Sequence, residues 1–218
     1  MTKTAIIIGA TGVVGRETVK QTLESSYYDK VVTFTRRPIE TPELVNNHKL
    51  TQHIVNFDDI SQWQNLITGD DLYCCIGTTL KQAGSKETQT QIDLNYPTTI
   101  AQFAKQNNVQ SFTLVSSYGA NVESNSFYLR LKGQLERNIH QLSFKQFILI
   151  RPSLIVGERS EFRIGELILK TALKMLAWLP GIRKYRAITG KEIAKRMIIA
   201  TTSNSGSQTF ALDEVFID

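Results

Sequence analysis

The stretch Thr4-Ala5-Ile6-Ile7-Ile8-Gly9-Ala10-Thr11-Gly12-Val13-Val14-Gly15 constrains this chain more than any other. An apolar run of strand length breaks into three glycines spaced three apart, and apolar residues resume at helical spacing through Val13, Val14, Val19 and Leu23. The pattern predicts strand, glycine turn and helix. Such a turn presents backbone N–H groups at a helix N-terminus, where the helix's partial positive charge suits a pyrophosphate, and missing side chains let the ligand approach the backbone. Gly15 would permit close helix-to-sheet packing instead. The spacing is Gly-x-x-Gly-x-x-Gly, not the Gly-x-Gly-x-x-Gly of ordinary dinucleotide folds, so the position directly after a strand carries the assignment. Gly9, Thr11, Gly12, Val13, Val14 and Gly15 are therefore the expected cofactor turn.

At 218 residues the chain suits one well-buried domain. The expectation is an α/β fold, a doubly wound parallel sheet with a small C-terminal appendage. That is a single dinucleotide-binding domain over 1–218 in which 153–218 contributes a small substrate-side or lid region. Hydrophobic residues at 41% and charged residues at 21% are ordinary for a globular protein, and no apolar stretch is long enough to cross a bilayer. Met1-Thr2-Lys3 runs straight into the first strand, which predicts no signal peptide. Cys74 and Cys75 are adjacent, suiting strand residues on opposite faces better than a disulfide, and a reducing cytoplasm is the expected compartment. The net charge of +5 is scattered; it favours a phosphorylated ligand and is weak support for nucleic acid.

The second apolar run, Lys30 to Thr35, ends in Arg36-Arg37-Pro38. In a dinucleotide fold this strand end lies beside the adenosine ribose, where an acidic residue would bind the 2′-hydroxyl of NAD. Two guanidinium groups there suit the 2′-phosphate of NADP instead. The alternative is a solvated basic turn before a proline. Leu50 to Val55 reads as a third strand ending in Asn56-Phe57-Asp58-Asp59: Asn56 could meet an adenine edge, or Asp58 or Asp59 could cap the short helix around Ser61 to Leu66. A fourth strand, Asp71 to Ile76, opens into Gly77-Thr78-Thr79, a fit to the ligand crevice of a doubly wound sheet. From Glu87 to about Asn107 a helix is expected, with Ile92, Ile100, Phe103 and Ala104 as apolar markers and Pro97 disturbing its early turns; Asn95 stands just before that disturbance.

A fifth strand, Phe112 to Val115, ends in Ser116-Ser117, and a helix then carries Tyr128 and Lys132, four apart on one face. An ammonium beside a phenol favours the phenolate and so eases proton transfer, while a nearby serine hydroxyl could hold a substrate oxygen. Tyrosine and lysine at this spacing also occur as surface decoration. The sixth strand, Phe147 to Ile150, ends in Arg151-Pro152-Ser153. The apolar segment Ile164 to Leu179 is read either as a helix over the sheet end or as a lid above an apolar substrate; a helix from about Lys191 to Thr202 and a strand-like Gln208 to Leu212 close the chain. His48, His53 and His140 lack metal-ligand spacing, so no metal is expected.

With these residues placed, the chain resembles the short-chain dehydrogenase/reductase superfamily, in its atypical and extended branches. Gly9 to Gly15 matches that branch's cofactor turn. Cys75-Ile76-Gly77-Thr78-Thr79, Ser116-Ser117-Tyr118-Gly119-Ala120, Phe127-Tyr128 to Lys132-Gly133 and Arg151-Pro152-Ser153 are similar to a bacterial group related to the Tat-interacting, metastasis-suppressor type of NADPH-binding protein. The resemblance implies a Rossmann fold and NADPH as cofactor but no particular substrate; a small carbonyl substrate is the expectation drawn from the Tyr128–Lys132 spacing and the two strand ends. It implies Tyr128 and Lys132 as the catalytic pair, with Ser117 as the serine and Asn95 as the asparagine of a tetrad. Cofactor contacts are implied at Arg36, Arg37, Asn56, Phe57, Gly77, Thr78, Thr79, Lys132, Arg151, Pro152 and Ser153. Asn56 stands where many relatives have an aspartate for the adenine. The C-terminal part is shorter than in extended sugar-nucleotide epimerases, which disfavours a nucleotide-sugar substrate. The expected protein is thus an NADPH-dependent oxidoreductase, with a non-catalytic NADP(H)-binding redox sensor as the alternative. No nucleic acid and no integral membrane association is expected, and a homodimer is compatible with the sequence.

Overall fold

In the computed structural model, which describes residues 2–156, 186–203 and 206–217, the first apolar run is β1 (Thr4–Ile8) and the glycine turn leads into α1 (Val13–Glu24). The chain continues through β2 (Lys30–Thr35), α2 (Pro42–Val45), β3 (Leu50–Ile54), two 3-10 turns (Phe57–Gln62 and Gln64–Leu66) and β4 (Asp71–Cys74). Next come α3 (Leu80–Ala83), α4 (Lys86–Thr90), a π-helical turn (Gln91–Asn95), α5 (Tyr96–Gln106), β5 (Ser111–Val115), α6 (Phe127–Gln141) and β6 (Gln146–Arg151). The pair β7 (Ile155–Val156) and β8 (Ile188–Thr189), then α7 (Gly190–Thr202), β9 (Gln208–Ala211) and a 3-10 turn (Leu212–Val215) complete the described order.

The main sheet is parallel, in the order β3-β2-β1-β4-β5-β6-β9. Strands covered on both faces need not alternate apolar and polar residues, which is why β1 reads as an unbroken apolar run. Its side chains divide between two cores. Ile6 and Ile8 pack with Phe34, Leu72, Ile100 and Leu135 under α5 and α6, whereas Ala5 and Ile7 pack with Val19, Leu23, Ile193 and Met197 under α1 and α7. The chain leaves β1 toward β2 on one side and reaches β4 on the other, so the crevice for a ligand opens above the C-terminal ends of these neighbours.

Two expectations change. The helix over Glu87 to Asn107 is α4 and α5 joined by the π turn, where Tyr96 N donates to Gln91 O just before Pro97, whose ring and missing N–H oppose a regular α-helical turn. The C-terminal part is less of an appendage than expected: α7 packs beside α1 and β9 pairs with β6, so both belong to the sheet's layers. The segment Ile164 to Leu179 lies outside the described residues. Cys74 and Cys75 are free thiols facing opposite cores, and burial pushes them up to about 11 and about 12. Among the described residues no helix is long and apolar enough to cross a membrane.

Candidate functional site

The glycine turn is shaped by what a side chain would strike. Gly9 has a φ of 81°, and a Cβ there would lie 2.7 Å from the Cys75 carbonyl carbon; at Gly15 it would lie 2.0 Å from the Gly9 oxygen. These two glycines press α1 against the ends of β1 and β4. Gly12 differs, because a Cβ there would meet only the Gly9 oxygen at 3.4 Å. Its missing side chain therefore leaves room outside the turn. Gly12 N donates to Gly9 O, and the amides of Val13, Val14 and Gly15 open α1 with no carbonyl a turn earlier to bond. The Val14 side chain is core, so the backbones of Val13 and Val14 are what a pyrophosphate would meet, while Thr11 is exposed at the turn's tip. The cradle fits a dinucleotide.

Arg36 and Arg37 follow β2 directly, are exposed, and make no ion pair among the described residues. Arg36 lies within electrostatic reach of Tyr96, whose phenol is pushed up to about 12 by burial and by donating to the Asp58 carboxylate. At the end of β3 Asn56 itself is the cap: its Oδ1 accepts from Asp58 N at 3.0 Å, and its carbonyl accepts the Trp63 indole N–H at 2.8 Å. Asp58 and Asp59 do not cap the turn. Asp59 accepts instead from Ser61 at 2.6 Å. Phe57 is buried against Trp63 and Tyr96 and serves the core.

The ends of β4 and β5 and the first turns of α6 meet in one cluster. Lys132 is 2% exposed, with its Nζ 5.9 Å from the centre of the Tyr128 ring and 3.9 Å from Asp93 Oδ1. Burial works against its ammonium, but Tyr128, Asp93 and Cys74 more than offset that and hold its pKa above the ordinary lysine value. A Cβ on Gly77 would come within 3.8 Å of the same Nζ, and Thr78 N donates to Asp93 Oδ1 at 2.9 Å. Thr79 spends its hydroxyl capping α3. Tyr128 is 36% exposed and Ser117 is half-buried, its hydroxyl directed to Tyr118 O at 3.4 Å.

Asn95 does not join this cluster. It is exposed and donates to Gln91 Oε1 at 2.7 Å; the inward polar residue of the turn is Asp93, which also accepts from Gln89 Nε2 at 3.2 Å. Sequence reasoning missed Asp93, although a signal exists: it stands seven residues before Ile100 and eleven before Ala104, in phase with the buried face of α5. The Arg151-Pro152-Ser153 stretch also differs from expectation. The Arg151 guanidinium is bound by Glu136, Nε to Oε1 at 3.1 Å and Nη2 to Oε2 at 2.5 Å, and Ser116 Oγ donates to the same carboxylate. Pro152 accepts from Tyr118 N, and Ser153 Oγ donates to Arg186 O. These bonds tie β6 to α6 and to the Ser116–Ala120 loop. Among the described residues no group of His, Cys, Asp and Glu is placed to hold a metal.

A protein-family model described as NAD(P)H-binding matches residues 9–160. Curated relatives include the protein FMP52, mitochondrial, of Debaryomyces hansenii, 34% identical over 197 residues covering 88% of this chain and 84% of the relative. Protein HTATIP2 of Rattus norvegicus is 30% identical over 182 residues, covering 82% and 74%. Among solved structures, the Bordetella bronchiseptica enzyme WbmH in complex with NAD+ shares the fold with a TM-score of 0.72 at 18% identity, over 97% of this chain and 75% of that one. The UDP-Glc/GlcNAc 4-epimerase of Campylobacter jejuni shares it at 0.73 and 13% identity, over 98% and 81%. The glycine cradle, the parallel sheet and the match over residues 9–160 together establish that the chain belongs to the NAD(P)H-binding family, with HTATIP2 and FMP52 among its relatives.

Proposed function

We propose that the chain is an NADPH-dependent reductase of a small carbonyl compound. The observation that carries this is the buried Lys132 ammonium beneath the ring of the more exposed Tyr128, at the mouth of the crevice above β4 and β5. Bound NADPH would supply a hydride to the carbonyl carbon. Tyr128 Oη gives its proton to the carbonyl oxygen, Lys132 offsets the negative charge left on the phenol, and Ser117 Oγ donates a hydrogen bond that orients the carbonyl. Arg36 and Arg37 supply the preference for the 2′-phosphate, with Lys132 also reaching the nicotinamide ribose. NADPH consumption over a panel of aldehydes and ketones tests the reading. Tyr128→Phe should lower turnover by a factor of about 100 or more with NADPH affinity unchanged, and undiminished turnover would end the proposal.

One observation favours a second reading, an NADP(H)-binding redox sensor: Lys132 already has the buried Asp93 carboxylate as a partner at 3.9 Å, a structural role that needs no catalysis. A sensor would bind NADPH and NADP+ with clearly different affinity and turn over no substrate. The free Cys74 and Cys75 support a reducing compartment, and we propose the cytoplasm; the FMP52 relatives carry "mitochondrial" in their names, so fractionation is the test. A homodimer is proposed as the assembly, to be read from light scattering.

A further inference from the structure

A groove of about 690 Å³ runs between α6 and the edge strand β9, away from the glycine turn, from Arg36 and Arg37 and from Tyr128, none of which lines it. Its volume is that of a site for a small organic molecule. Phe147 and Leu149, on neighbouring same-face positions of β6, give it an apolar floor, and Gln208 and Thr209 of β9 form the far wall. The α6 wall carries the Arg137 cation and the His140 ring, both exposed and one turn apart.

At the inner end stand Glu136 and Arg151. Glu136 is the acidic residue of the lining and its charge is already taken, by two bonds from Arg151 and one from Ser116. Arg151 keeps 35% of its side chain exposed, and its Nη1 makes no bond among the described residues. The groove therefore offers donors and positive charge over an apolar floor, without a free carboxylate to repel an anion.

We propose that this groove binds a small carboxylate with an apolar body, the carboxylate facing Arg137, His140 and Arg151 Nη1 and the body lying on Phe147 and Leu149. The site stands apart from the reductase reading and survives its failure. Because Glu136 also holds Ser116, next to Ser117, the occupied groove would adjoin the catalytic loop without entering the cofactor crevice.

The test is calorimetric titration of the NADPH-saturated full chain at pH 7, with hexanoate and with hexanamide as its uncharged counterpart. Hexanoate should bind saturably and hexanamide about tenfold more weakly or worse. Arg137→Gln with His140→Gln should weaken hexanoate by about tenfold or more, and Thr209→Trp, which fills the groove and keeps its charge, should abolish binding. All three positions are exposed, so unchanged NADPH affinity verifies the fold. Absence of saturable binding, binding that both variants leave intact, or binding that NADPH displaces would each overturn the proposal.

Discussion

Asp93→Ala removes a carboxylate that is fully buried and accepts from Thr78 N at 2.9 Å and Gln89 Nε2 at 3.2 Å while facing Lys132 Nζ at 3.9 Å. The loss strands the Lys132 ammonium, itself 2% exposed, in the interior. Breaking a buried pair from one side costs about 3–5 kcal/mol, a large share of a domain's net stability. Lys132→Met breaks the pair from the other side and should cost a similar amount. Asp93→Asn keeps an acceptor for Thr78 but strands the same ammonium, so it should cost about 3 kcal/mol, the lower end of that range. The decisive measurement is the double variant in urea unfolding at pH 7. With both charges gone neither is stranded, so its cost should fall short of the sum of the singles by about 2 kcal/mol. Tyr128 and Asp93 hold the Lys132 pKa above 10.5, so the stability its charge contributes is lost only as pH rises through that raised value. The shortfall should therefore be constant from pH 6 to pH 9. Costs that add to within about 0.5 kcal/mol would refute the pairing.

The contribution of Asp71 is lost with rising pH in a much lower window. Burial pushes its carboxyl up to about 6 although it accepts from Tyr28 Oη at 2.9 Å, so the folded state holds that proton more tightly than the unfolded chain. The stability this contributes is complete well below pH 3.8 and lost as pH rises through 6, so wild type should lose about 2 kcal/mol relative to Asp71→Asn between pH 4 and pH 7 in denaturant unfolding; a flat difference would contradict it. Gly15→Ala places a Cβ 2.0 Å from the Gly9 oxygen and must push α1 off the turn. It should cost about 1–3 kcal/mol in thermal unfolding and weaken NADPH by about tenfold. Arg36→Ser with Arg37→Ser should weaken NADPH about 10- to 100-fold in a fluorescence titration while leaving NADH unchanged; equal losses for both cofactors would assign the arginines to solvent.

The scaffold of the site was legible because it depends on local pattern. Thr4 to Gly15 contains its own strand, turn and helix start, and Gly15 lies within contact of Gly9, so close packing follows from spacing alone. The strand ends at Arg36, Gly77 and Ser117 likewise emerge from apolar runs that stop at polar or glycine residues. The N-cap was misread for a local reason: Asn, Asp and Ser all cap well, and four of them crowd Asn56 to Ser61, so composition located the cap without selecting Asn56.

Asp93, Glu136 and Arg151 were less legible because a charge in the core is identified by partners far away in sequence. Yet each of the two carboxylates carried a phase signal. Glu136 follows Lys132 by four residues and lies between Leu135 and Ile139 on the buried stripe of α6, so this helix turns two opposite charges inward along with its leucines. Water would solvate such charges at far lower cost, so their burial requires partners, and the fold provides them from strand ends: Thr78 after β4 for Asp93, Ser116 after β5 and Arg151 on β6 for Glu136. Asn95 attracted attention by its residue type but lies out of phase with Ile100 and Ala104, and the π turn before Pro97 leaves it in solvent. Helical phase, applied to charged residues as strictly as to apolar ones, separates the asparagine that this helix turns to solvent from the aspartate that joins Lys132 to the end of β4.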